Sequence, residues 1–243
     1  MRSPQVAWIS DGDPPESFPD IERAFSVPDG LLAAGGDLSE ERLVYAYRHG
    51  IFPWFSDGQP ILWWSPDPRC VIFPERLHVS RRLRRSLRGS NYEIRFNTAF
   101  DQVIEACACD RPGQDGTWIT AEMSVAYRRM HARGWAHSIE TWRQGELVGG
   151  MYGLAIGKVF FGESMFSAET NASKASMQAL CTLLIEHDFR LLDCQVVSPH
   201  LTSLGAELLP RRRFAAILDD ACTPPERFSG WPDTPLNVRG LLT

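Results

Sequence analysis

Apolar and polar positions change period twice along this chain, and each change marks a different kind of element. Residues 1–36 are turn-rich, with Asp13-Pro14-Pro15, Pro28-Asp29-Gly30 and Gly35-Gly36. A helix pattern follows. Ser39 caps it, Glu40 and Glu41 suit the positive end of its dipole, Leu43, Ala46 and Tyr47 line one face, and Gly50 closes it. From Gly50 to Arg69, Pro53, Pro60, Pro66 and Pro68 lie among Trp54, Trp63 and Trp64, which forbids a long helix and permits short extended pieces. Ser80 then caps a short helix with Leu83 and Leu87 as its inward pair. Phe100, Val103, Ile104 and Cys107 repeat at helical spacing. Thr120 to Ala132 reads as a further helix, with Met123, Tyr127 and Met130 inward and Gly134 as the stop.

From Ala136 the period falls to two. Ala136–Trp142, Leu147–Ile156 and Lys158–Phe166 read as strands joined by tight turns, Asn171 starts a long helix to about His187, and Arg190–Val197 reads as a strand. The order predicts an α+β fold. A small N-terminal α/β domain covers residues 1–65. Residues 66–243 form an N-acyltransferase-like (GNAT-type) domain with an antiparallel meander and one parallel β-α-β crossover, right-handed by rule. In that fold an acyl donor lies between two splayed strands. A CoA user would carry a glycine-rich pyrophosphate loop at the crossover helix. Here Phe166 to Lys174 holds no glycine, and Glu169 opposes an anion.

Composition narrows the class. Eight Trp, 13 Phe and five Tyr in 243 residues exclude disorder as the main state. The longest apolar-leaning run, Leu147 to Gly157, is interrupted by glycines and falls short of the ~20 residues a membrane span needs. Met1 to Glu16 carries acids and prolines in place of a signal peptide, so a cytoplasmic address is expected. Six scattered cysteines give neither a disulfide framework nor a zinc motif; Cys107 and Cys109 read as small core residues. A net charge of −5 argues against a nucleic-acid binder until its distribution is considered. Arg81, Arg82, Arg84, Arg85 and Arg88 fall in one acid-free run, and local density decides whether a phosphate backbone is attracted. Arg81 and Arg82 also occupy a helix's first turn, where the dipole disfavours cations, which suggests a use for the charge.

Three polar residues interrupt apolar strand runs: Glu163 in VFFGESMF, and Asp193 and Gln195 in LLDCQVV. The i,i+2 spacing puts the last two on one strand face, and across the crossover Glu163 can share their cleft. Buried carboxylates are costly unless paired, so they mark either a site or arginine partners in the core. His200 beside Ser198 and Ser203 lacks the nucleophile-elbow pattern of a hydrolase.

These residues fall within long, order-preserved segments that span about residues 18–214. They are PDGLLAAGGDLS (Pro28 to Ser39), AYRHGIFPWFSDGQPILWWSPDPR (Ala46 to Arg69), GTWIT (Gly116 to Thr120), AHSIETW (Ala136 to Trp142), LVGGMYGLAIGKVFFGESMFS (Leu147 to Ser167), NASK (Asn171 to Lys174) and LLDCQV…HLTSLGAELLPR (Leu191 to Arg211). The chain thereby resembles the bacterial leucyl/phenylalanyl-tRNA–protein transferases. That resemblance implies transfer of Leu or Phe, and less well Met, from aminoacyl-tRNA to the α-amino group of proteins beginning with Arg or Lys. Such marking feeds N-degron degradation. It implies no metal or other cofactor, no membrane partner and a monomer. Matching positions imply Asp193 and Gln195 as the catalytic pair, with Glu163 placing the substrate ammonium or the terminal ribose. Met151, Met165 and Leu192 are implied to line an apolar donor pocket. Trp54, Trp118, Tyr47 and Tyr127 are implied to hold the 3′-terminal adenosine. The arginine run would hold tRNA phosphates. Ala168 stands where the family commonly has Arg.

The chemistry is aminolysis of an activated ester. Gln195 would accept a hydrogen bond from the attacking nitrogen, and Asp193 would polarise that amide. A CoA-dependent acetyltransferase, a non-enzymatic tRNA adapter and a cell-wall aminoacyl-tRNA transferase are the competing readings.

Overall fold

The computed structural model describes residues 5–109 and 119–242. Trp118 lies outside them. The elements in chain order are β1 (Ala7–Ile9), β2 (Leu31–Gly35), α1 (Glu40–Arg48), β3 (Phe52–Pro53), β4 (Leu62–Trp64), β5 (Arg69–Ile72), α2 (Arg81–Gly89), β6 (Glu93–Phe96), α3 (Phe100–Ala108), α4 (Ala121–Ala132), β7 (Ala136–Arg143), β8 (Glu146–Ile156), β9 (Val159–Ser167), α5 (Ala172–Glu186), β10 (Leu191–Asp193), α6 (Pro199–Ser203), β11 (Glu207–Leu209), α7 (Arg211–Ala221) and β12 (Leu236–Asn237). The fold is mixed α+β.

Helix starts follow the capping residues. Ser39, Ser80 and Thr120 each accept a main-chain N–H from the first turn of α1, α2 and α4. Two sheets result. A four-stranded sheet has the order β1-β2-β4-β3, and an eight-stranded sheet has the order β11-β5-β10-β9-β8-β7-β6-β12. In the larger sheet β6 to β9 form the antiparallel meander, and α5 carries the chain over to β10, parallel to β9.

One apolar cluster joins the two sheets. Trp63, Leu43 and Tyr47 pack with Ile104, Tyr127 and Phe161, which brings α1 against α4 and the rear of β9. A second cluster lies on the opposite face under α5, with Leu180, Leu184, Met151 and Phe160. Cys107 is buried in the first cluster. Cys109 is exposed, against expectation, because α3 has ended at Ala108. Among the described residues no helix is long and apolar enough to cross a membrane.

Candidate active site

The sheet opens where β9 and β10 part. Their parallel pairing ends at Phe161 and Asp193, and each chain then carries a bulge. On β9, Tyr152 pairs with Ser164 but Gly153 pairs with Gly162, so Glu163 is the unmatched extra residue. Beyond β10, Cys194 N–H donates to Cys70 O at 2.9 Å while Cys70 N–H donates to Gln195 O at 3.2 Å. Two residues there face one residue of β5. Gln195 adopts a left-handed φ of 54°.

The expected strand over Arg190–Val197 therefore stops at Asp193, and Asp193 and Gln195 do not share a strand face. A bulge re-aims a side chain that a regular strand would send to one face or the other. These two bulges aim Glu163 and Gln195 at each other, and Gln195 Nε2 donates to Glu163 Oε1 at 3.0 Å.

Asp193 is fully buried. Arg69 Nε and Nη2 donate to its two oxygens at 2.8 and 2.7 Å, and the Gln195 main-chain N–H donates to Oδ1 at 3.0 Å. Its carboxylate thus meets the backbone of Gln195, and the side-chain amide of Gln195 belongs to Glu163. Arg69 lies between the rings of Phe52 and Phe214, each centroid 4.7 Å from its guanidinium carbon, and Nη1 donates to Gly50 O at 3.0 Å.

Glu163 is half-buried. Tyr47 and Tyr127, both fully buried, reach its Oε1 and Oε2 at 2.7 and 2.9 Å, and their hydroxyls also hydrogen-bond each other. Burial pushes the Glu163 carboxyl up to about 7, against the two phenol hydrogen bonds, which favour its charged form. Asp193 nearby raises it further and Arg69 lowers it.

Two cavities meet at this pair. A cavity of about 390 Å³ is lined by Met151, Gly162, Met165, Met177, Leu192 and His200, among others. A smaller one of about 180 Å³ is lined by Phe52, Pro53, Trp54 and Val196. Glu163, Cys194 and Gln195 border both. The structure thus places Met151, Met165 and Leu192 around the apolar cavity and Trp54 at the aromatic one. Tyr47 and Tyr127 sit behind Glu163 and line neither. Met177 and Arg69 went unassigned in the sequence. Met177 left no signal beyond a helical apolar position, but Arg69 did: a lone cation entering the apolar run CVIF.

On α2, Leu83 and Leu87 are buried and Arg81, Arg82, Arg85 and Arg88 are exposed. Arg84 and Arg88 donate to Leu242 O at 3.5 and 3.0 Å. Arg81, Arg82 and Arg85 have no ion pair among the described residues.

Fold and site together define a class: an α+β protein whose split sheet opens two cavities on either side of one acid–amide contact, an arrangement that suits a group-transfer enzyme. Family comparison is specific. The model of the leucyl/phenylalanyl-tRNA protein transferase matches residues 71–219, and that of its N-terminal domain matches residues 36–67. The leucyl/phenylalanyl-tRNA–protein transferase of Azoarcus sp. (strain BH72) is 52% identical over 93% of this chain and 96% of its own. The protein of the same name from Chromohalobacter salexigens is 55% identical over 90% of this chain and 86% of its own. That of Pseudomonas fluorescens (strain Pf0-1) is 58% identical over 83% and 89%. The chain belongs to the leucyl/phenylalanyl-tRNA–protein transferase family and is an aminoacyltransferase.

Proposed function

We propose that this enzyme moves Leu or Phe, and Met less well, from aminoacyl-tRNA to the α-amino group of proteins beginning with Arg or Lys, marking them for N-degron degradation. The observation that carries the reading is the junction of the apolar and aromatic cavities at Glu163 and Gln195. Flexible Met151, Met165 and Met177 suit linear or aromatic apolar side chains, and the aromatic wall at Trp54 suits the terminal adenosine. The ester bond then lies over the Gln195 amide.

An α-amino group titrates near 7.7–8, so roughly a tenth is neutral at pH 7. With Nε2 engaged by Glu163, the amide oxygen of Gln195 is the end left to accept a hydrogen bond from the attacking amine. Asp193 acts one step back, holding the Gln195 main chain while Arg69 neutralises it. The exposed arginines of α2 support phosphate contacts that hold tRNA by charge, without reading its sequence. The reading includes a cytoplasmic monomer with a small N-terminal domain over residues 1–65.

Radiolabelled Leu-tRNA, offered to a peptide beginning with Arg and to its N-acetylated twin, tests the reading. Label is expected on the free amine alone. Transfer to neither peptide, with tRNA still bound, overturns it in favour of an adapter or another acceptor.

A further inference from the structure

The oxygens of Tyr47, Tyr127 and Glu163 close a ring whose protons can be counted. There are three contacts: Tyr47 to Glu163 Oε1, Tyr127 to Glu163 Oε2, and Tyr47 to Tyr127. Each close oxygen–oxygen contact needs one proton between its atoms. Two phenols supply two, and an ionised carboxylate supplies none. Gln195 adds a donor at Oε1, but its protons lie outside the ring. The ring is complete only when Glu163 carries the third proton, which then runs from the carboxyl through one phenol to the other and back.

The surroundings keep that proton on Glu163. Phe161 packs against Tyr47 and Tyr152 against Tyr127, with ring centroids 5.3 and 5.5 Å apart. The titratable and charged groups facing the carboxyl are Tyr47 from α1, Tyr127 from α4, Tyr152 from β8, and the mutually paired Asp193 and Arg69 from β10 and β5. Burial and the neighbouring carboxyl push the three phenols well above their usual range, so they stay protonated. Once Glu163 has given up its proton, both phenols and the Gln195 amide remain as donors to the carboxylate. Both protonation states are therefore held.

We infer that Glu163 is the proton-transfer residue of the acyl transfer: as a carboxylic acid it protonates the departing ribose oxygen, and as a carboxylate it takes the proton shed by the amine. The assignment rests on the aminoacyl-transfer reading above. The amine lone pair forms the N–C bond, and the C–O ester bond breaks with its electron pair going to the ribose oxygen. That oxygen takes the Glu163 proton, and the new amide nitrogen returns one. Ester and amine give amide and alcohol, with no net change at Glu163. Its position on the border of both cavities places it beside nucleophile and leaving group together.

Two measurements test this. In wild-type enzyme without tRNA, infrared spectra taken from pH 5 to 9 should show a carboxylic-acid carbonyl band that disappears around pH 7. The band should be missing in Glu163→Gln. A wild-type spectrum without it at pH 5 overturns the ring. In single-turnover transfer, Glu163→Gln should lose about 10²- to 10⁴-fold in rate and the alkaline limb of its pH profile, with tRNA affinity unchanged. A Glu163→Gln enzyme with the wild-type rate and profile overturns the assignment. Failure of wild-type enzyme to acylate any amine would instead overturn the aminoacyl-transfer reading, and the infrared result stands apart from it.

Discussion

Arg69 holds both carboxylate oxygens of Asp193, Nε to Oδ1 at 2.8 Å and Nη2 to Oδ2 at 2.7 Å, with neither side chain more than 1% exposed. The planar guanidinium matches a carboxylate with two parallel bonds, and the Phe52 and Phe214 rings pack against it. Asp193 is in the interior because its charge is cancelled there.

Removing one partner of such a pair strands the other. Arg69→Met should cost roughly 3–5 kcal/mol in denaturant unfolding, while Arg69→Met with Asp193→Asn should recover part of that loss, since an unpaired buried charge is what the single variant creates. Equal losses in single and double variants would show that the two residues act independently. Transfer activity should fall in both, because the side chain that accepts the Gln195 main-chain N–H loses the guanidinium that holds it in place.

A carboxyl raised to about 7 also makes stability depend on pH. The folded protein holds this proton more tightly than the unfolded chain, whose Glu titrates near 4.5. The contribution is thus complete below about pH 4.5 and is lost as pH rises through about 7, to a total of at most roughly 3 kcal/mol. The difference between wild-type and Glu163→Gln unfolding free energies should change in that direction across this window. A flat difference from pH 4.5 to 8 would mean that Glu163 ionises as freely in the fold as outside it.

The helices and the meander were legible because each rests on local patterning: a capping hydroxyl, an apolar stripe, a period of two. Glu163, Asp193 and Gln195 were legible as polar interruptions of apolar runs. Their arrangement was not, since each bulge is a register shift between segments distant in sequence, and alternation along one strand predicts the opposite outcome for Gln195. Its φ of 54° has no local signature either, as left-handed backbone favours Gly or Asn. Tyr47 and Tyr127 show the same limit. Their inward helical faces were readable, but only the packing of α1 on α4 sets both hydroxyls behind one carboxylate.

Gly162 offers a direct handle on donor choice. A Cβ there would meet Leu192 Cδ1 and Asp193 O at 3.4 Å and Met151 Cε at 3.9 Å, all ordinary contacts. Gly162→Ala should therefore fold with stability within about 0.5 kcal/mol of wild type. Its methyl group would occupy the apolar cavity where Met151 and Leu192 converge. Phe transfer should fall relative to Leu by about 10-fold or more, within the range a one-carbon misfit produces. An unchanged Phe/Leu ratio of kcat/KM would place the donor side chain elsewhere.

The arginines of α2 separate charge from fold. Leu83 and Leu87 anchor the helix, and Arg84 and Arg88 tie it to Leu242 O, so Arg81, Arg82 and Arg85 can be changed without touching a buried contact. Replacing all three by Ala also removes two cations from the first turn, where the dipole opposes them, so helix content and Tm should hold or rise slightly. If they meet tRNA phosphates, each contact contributes about 0.9 to the slope of log affinity against log salt on duplex segments. The triple variant should flatten that slope by up to roughly 2–3 and raise KM for aminoacyl-tRNA, with kcat at saturation nearly unchanged. The same slope in wild type and variant would assign these arginines to solvent and leave tRNA to another face.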